Sequence, residues 1–394
     1  MQTLHQSPRD PAFVQNPFQF YQKLRSTGKI IRWSEYDMAV TSDFETVNNI
    51  LRDKSFVREP PLGFFAGIPK HLFPFYENES RSMLEREPPY HTRLKSLAFP
   101  FFTNRKLKEL EHEIKELCQT LLQQIPNSKI NLISDFSKQF PVIVIARLLG
   151  VPEIMAPQLV NWSGDMVAMY QARRDQGIEK KAVTATTEFS EYIKKLLDEK
   201  KKKPREDLIS FLISENKSDN PLSNDELIST IILLLNAGHE ATVHTISNGV
   251  KTILESEFSL SEIIKNPKQL TEEILRYCTP LHMFTRYCSV DTEINGHHFK
   301  AGEKIGLLLA AANRDPAYFT DPEDFNPLIK RRANLSLGAG IHFCLGAHLA
   351  RLELQIAITT LIDFFPSMRI TQKPRYQDNF HFFGLKELTL GTEN

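Results

Sequence analysis

A chain of 394 residues can bury a large core, and no Pro/Gly/Ser-rich linker or break in composition divides it, so one domain over residues 1–394 is expected. Lys+Arg and Asp+Glu total 48 each, which leaves no net charge to draw the protein to nucleic acid or another polyanion. Four scattered cysteines, Cys118, Cys278, Cys288 and Cys344, argue against a disulfide scaffold and suit a reducing compartment.

From Met1 to Phe20 the chain is polar and broken by prolines. It has neither a signal-peptide h-region nor the roughly 20 apolar residues of a membrane span, so a cytoplasmic protein with no membrane contact is expected. The aromatic segment Phe64–Tyr76 reads as a long loop, serving as core or as a binding wall. In Pro88-Pro89-Tyr90-His91-Thr92-Arg93-Leu94-Lys95, His91 and Lys95 are four apart, side by side on a helix. Helical periodicity runs through Leu107–Gln124, Thr187–Lys200 and Asp207–Ser214. The lysines at 200–203, closed by Pro204, predict a helix end on a solvated loop, with Asp207 capping the next helix.

Ser223-Asn224-Asp225-Glu226 has the pattern of a capping box, opening a helix that can reach Glu255. Ile231–Leu235 is apolar on every face, which means burial. Ala237-Gly238-His239-Glu240-Ala241-Thr242 then departs from a core built for stability. A mid-helix glycine costs about 1 kcal/mol against alanine, and a buried glutamate costs more unless hydrogen-bonded. Glu240 reads as a working acid or as a satisfied structural carboxylate, and His239 as a helix-face residue. Further on, Glu273 and Arg276 share a helix face, a pair worth only a few tenths of a kcal/mol if exposed. Thr292-Glu293-Ile294, Asn295-Gly296 and His297-His298-Phe299 spell a hairpin with a type I′ turn. Strand signals are otherwise few, so the fold class is mostly α with small β-sheets.

The most informative stretch is Leu337-Gly338-Ala339-Gly340-Ile341-His342-Phe343-Cys344-Leu345-Gly346. Its glycines let the backbone adopt φ > 0 and lie close to a planar ligand. Backbone N–H groups at the helix opening near Gly346 favour negative charge on the sulfur. A zinc site from His342, Cys344 and His348 is the alternative, but zinc normally takes four ligands with paired Cys or His, and the other cysteines form no such pairs. The stretch resembles the cysteine-ligand loop of the cytochrome P-450 superfamily, Phe-Gly-x-Gly-x-His-x-Cys-x-Gly, with Leu337 in place of the first Phe.

The resemblance implies the P-450 fold, with haem b held between the long central helix and the cysteine loop, Cys344 as its iron ligand, and O2 as co-substrate. It implies monooxygenation of an apolar small organic substrate. Electrons would come from ferredoxin and ferredoxin reductase, since no fused reductase is present. Ala237, Gly238 and Glu240 match the family's oxygen groove, the acid helping to deliver protons. Glu273 and Arg276 match its Glu-x-x-Arg brace. A third basic partner often comes from a Pro-x-x-Phe segment, but Asp324 occupies that place in Pro322–Phe325, leaving Arg331 or Arg332 to substitute. His91, Lys95, Arg286 and His342 match the haem-propionate contacts, with Leu337, Gly338 and Gly346 framing the loop. Leu281–Phe284, Phe64–Phe65 and Phe382–Phe383 are candidate pocket walls, and Arg93, Lys95, Arg105, Lys106 and Lys108 a basic docking face. Glu240 speaks against a haem sensor, which needs no proton path. The peroxide-driven branch places Arg-Pro where Glu240-Ala241 stand.

A further position departs from the family. The threonine expected after the acid is Ala241, and the hydroxyl comes a residue later, at Thr242, about 100° further round a helix. Either a distortion at Gly238 brings Thr242 into register, or an ordered water or a polar group of the substrate fills the place.

Overall fold

A computed structural model describes residues 1–125, 129–217 and 219–391; the side chains of Phe65, Asn104 and Arg105 lie outside the described residues. Helices carry most of the chain, with small sheets set to one side, as the periodicity predicts. The largest sheet has six strands, in the order Thr3–Leu4, Ile31–Trp33, Met38–Thr41, Lys304–Leu308, Met283–Cys288 and Phe56–Val57. Arg286 lies on its inner strand, opposite Ile305. In the hairpin, Ile294 pairs with His297, and Asn295 and Gly296 have φ of 50° and 76°, the two positive values of a type I′ turn.

The central helix spans Asn224–Glu255, with both halves of the Ser223/Glu226 capping box formed. It packs on the helices Gln139–Leu149, Gln176–Lys202 and Ala347–Phe364, the last beginning just beyond Cys344. Ile231, Ile232, Leu234 and Leu235 are buried among them, so burial sets the helix's position.

Two expectations are corrected. Phe64–Tyr76 is not one long loop: it holds 3-10 turns at Phe64–Gly67 and Lys70–Leu72 and runs into a helix at Phe73–Ser80, with Pro74 in its first turn. The lysine run is not uniformly solvated, for Lys200 is buried and paired with Asp207, which also caps the helix Leu208–Glu215. An unpaired charge could not be buried there. Of the two named substitutes for the third basic partner, it is Arg331 whose Nε lies 3.4 Å from Glu273. Asp324 contributes only its backbone carbonyl, which accepts from Arg276.

Candidate active site

The cysteine loop has the predicted backbone. Gly338 and Gly340 have φ of 72° and 71°. A Cβ at Gly340 would lie 2.3 Å from the Leu51 carbonyl oxygen, so this glycine also lets the loop close onto the helix Phe44–Arg52. The Cys344 N–H donates to the Leu337 carbonyl at 3.0 Å. Gly346 caps the helix Ala347–Phe364, and its N–H points to the Cys344 sulfur. Burial pushes the thiol up, while the Gly346 N–H and the charges of Arg351 and Lys95 pull it down. His348 is exposed, and no metal-holding group of three or more His, Cys, Asp or Glu occurs among the described residues.

The central helix stays α-helical through 237–242, so no distortion at Gly238 re-registers Thr242, which is buried. A Cβ at Gly238 would meet Ile145 at 2.8 Å, so helix packing dictates this glycine. The open face falls instead to Ala237, exposed in mid-helix, and to half-buried Ala241, one turn on. Glu240 lies beside them with His244 Nε2 3.4 Å from Oε1 and His239 Nε2 4.0 Å from Oε2. Burial pushes the Glu240 carboxyl up, but the contact and charge of His244 and the charges of His239 and Lys138 outweigh it and bring it down to about 2. His239 is no plain helix-face residue: it is buried, with Nδ1 2.7 Å from the Leu235 carbonyl.

A buried basic cluster lies against the cysteine loop. The rings of His91 and His342 stand 4.7 Å apart. His91 Nδ1 is buried without a partner, and burial, with the charges of His342 and Lys95, lowers this imidazole to about 4. Arg286 is 2% exposed, and among the described residues its guanidinium donates to the adjacent Thr285 carbonyl at 2.9 Å. Burial and the neighbouring Arg58 bring its guanidinium down to about 9, against the pull of Glu87 and Glu85. The other two predicted contacts have protein partners: His342 Nε2 lies 3.0 Å from Glu87, and Lys95 donates to the Ile341 carbonyl at 2.6 Å.

The sequence profile of the Cytochrome P450 family matches residues 3–256 and 267–389. The chain belongs to the cytochrome P450 family. A Biotin biosynthesis cytochrome P450 of Bacillus subtilis (strain 168) is 35% identical over 99% of this chain and 100% of its own. Polyketide biosynthesis cytochrome P450 PksS of the same organism is 34% identical over 78% and 77%. The crystal structure of P450BioI in complex with a hexadec-9Z-enoic acid ligated acyl carrier protein superposes with a TM-score of 0.92, 35% identity and 97% and 100% coverage. This cytochrome P450 is therefore an oxidoreductase of the monooxygenase class, and no helix among its described residues is long and apolar enough to cross a membrane.

The residues present fit a haem. A buried guanidinium with no carboxylate hydrogen-bonded to it among the described residues, and a buried imidazole nitrogen without a partner, call for an anion, which haem propionates would supply. The cysteine is half-buried on a loop whose N–H groups face its sulfur. Sequence reasoning missed His244, whose four-residue spacing from Glu240 was a usable signal. It also missed Arg58 and Glu87, which carry none, and Glu353, fully buried with neither carboxylate oxygen partnered and therefore pushed far above the carboxylate range.

Proposed function

We propose that this cytochrome P450, one domain over 1–394, hydroxylates an extended acyl or polyketide-like chain, taking electrons from a separate ferredoxin and ferredoxin reductase in the cytoplasm. Haem b would be held by Cys344 at the iron and by Arg286 and His91 at the propionates, with His342 and Lys95 bracing the loop. When bound, the haem supplies the activation of O2. The chain's own residues do the rest. Ala237 and Ala241 keep the central helix narrow where substrate and dioxygen enter. Glu240 holds negative charge and accepts the proton of His244. Leu281 and Phe382, joined by a β-bridge, wall the far side beside the acid. Phe383 faces the other way, stacked on Tyr376 at 3.8 Å, and leaves the wall to Phe382. Phe284 packs 3.4 Å from the Cβ position of Gly338, over the cysteine loop.

The carrying observation is full-length likeness to P450BioI, whose solved partner is an acyl carrier protein bearing a C16 acyl chain. A second solved relative, CYP267B1, holds myristic acid, with a TM-score of 0.89 and 30% identity. Free fatty acids, the same chains loaded on an acyl carrier protein, and a macrolide-type polyketide should be compared by their high-spin shift of the haem spectrum and by mass spectrometry of products. An acyl chain should give both a shift and an oxygenated product. A shift and product with compact ring substrates alone would overturn the substrate reading.

A further inference from the structure

Glu240 has two histidine neighbours, and they differ. His239 uses Nδ1 on the Leu235 carbonyl of its own helix. His244 makes no such bond among the described residues and is held by the C-terminal loop instead. Its ring packs on Phe382 at 5.7 Å, and a Cβ at Gly384 would lie 2.1 Å from its Nδ1. That loop thereby holds Nε2 3.4 Å from Glu240 Oε1, close enough for an ion pair but without an aligned hydrogen bond. One turn further along the same face stands Asn248, whose Nδ2 donates to the Phe383 carbonyl at 2.7 Å and whose buried Oδ1 has no partner. Thr252 follows one turn later. Glu240, His244, Asn248 and Thr252 thus form a stripe with a spacing of four. Its far end lines an open groove of about 930 Å³, together with Lys251, Glu255 and Tyr376.

We propose that His244 positions Glu240 and carries its protons, taking over the part that the missing alcohol at Ala241 leaves undone. The proposal rests on the oxygenase reading above. The proton on His244 Nε2 passes to Glu240 Oε1, and the neutral imidazole regains one from solvent water; no electrons move. His244 is three residues from Ala241, a neighbouring position on the helix surface. The charged groups facing the couple are His239 on the same helix and Lys138, just before the helix Gln139–Leu149. The C-terminal loop brings only Phe382 and Gly384.

Infrared spectra of the reduced, CO-bound holoenzyme, titrated downward from neutral pH, read Glu240 directly, its band being the one removed by Glu240→Gln. In His244→Phe the protonation midpoint of that band should rise by about 1–3 pH units, the effect of removing an opposite charge within roughly 4–6 Å. Gly384→Ala, which displaces the imidazole without replacing it, should shift it the same way. Product per reduced cofactor consumed should fall by about 100-fold in His244→Phe, the low end of an acid–base contribution. Adding Ala241→Thr should restore part of that loss by returning the alcohol. His244→Gln, which donates but does not titrate, should remain uncoupled. An unmoved Glu240 band in His244→Phe, or full coupling in His244→Gln, overturns the proposal. Failure of the oxygenase reading shows separately, as wild-type protein whose reduced, CO-bound spectrum lacks the thiolate-haem band.

Discussion

Two buried clusters of charge flank the cysteine loop, and they are built on opposite terms. In the first, Glu273 grips Arg276 with both oxygens, at 2.7 and 2.8 Å, and the remaining guanidinium donors reach the carbonyls of Asn313, Pro322 and Asp324. Arg331 and the Asn326 N–H complete the shell of Glu273. Glu273 and Arg276 are answered from within the chain, so this pair can be buried without a ligand, while Arg331 Nε stands 3.4 Å from Glu273 as an ion pair without an aligned hydrogen bond. In the second, Arg286 and His91 are also buried, yet among the described residues no carboxylate is hydrogen-bonded to either, and Glu87 and Glu85 act on Arg286 only from a distance. Burial with partners marks a brace, and burial without them marks a place kept for something else.

That contrast can be tested from its largest consequence down. Cys344→Ala should abolish the strongly red-shifted Soret band of the reduced, CO-bound protein while far-ultraviolet circular dichroism keeps its helical form; retention of the band would remove the thiolate from the scheme. Glu273→Ala strands the buried Arg276 and should lower the unfolding free energy of the haem-free protein by about 3–5 kcal/mol in denaturant melts. Arg286→Leu should leave that melt unchanged or raised, yet weaken haem binding by about 10- to 100-fold, the equivalent of one charge-assisted hydrogen bond of about 1.5–3 kcal/mol. The distinction collapses if Arg286→Leu unfolds the haem-free protein as Glu273→Ala does.

The exposed charges sharpen the contrast from the third side. Of the predicted docking face, Arg93 is engaged with Glu226, Lys95 with the Ile341 carbonyl, and the Arg105 side chain lies outside the described residues. Lys106 has a partner in Glu109 at 2.9 Å but remains accessible, as does Lys108. Lys106→Glu with Lys108→Glu should slow reduction by an acidic ferredoxin a few-fold at low salt, with the difference fading as salt is added. A salt-independent rate would move the docking face elsewhere.

The two clusters were legible to different degrees. The cysteine loop, the capping box, the type I′ hairpin and the Glu-x-x-Arg pair are local patterns, so backbone preference and helical spacing settle them within a few residues. Arg331 was nameable only as one of two choices, because it reaches Glu273 from a segment far along the chain. Roles within one motif were blurred too: Gly238 and Ala237 are adjacent in sequence, but one faces Ile145 and the other the open side.

By itself the sequence determined the chemistry available: one cysteine on a glycine turn, an acid in an apolar helix, and alanine where a threonine was expected. Tertiary structure decided which groups are answered and which are left waiting. Lys95 and His342, read as propionate contacts, have protein partners, whereas Arg286 finds only the adjacent Thr285 carbonyl and His91 Nδ1 none. The imidazole at position 244 acquired its meaning only when the C-terminal loop pressed it toward Glu240. The physical reason is that a polar group's cost and use depend on its neighbours after burial, and those neighbours come from distant parts of the chain.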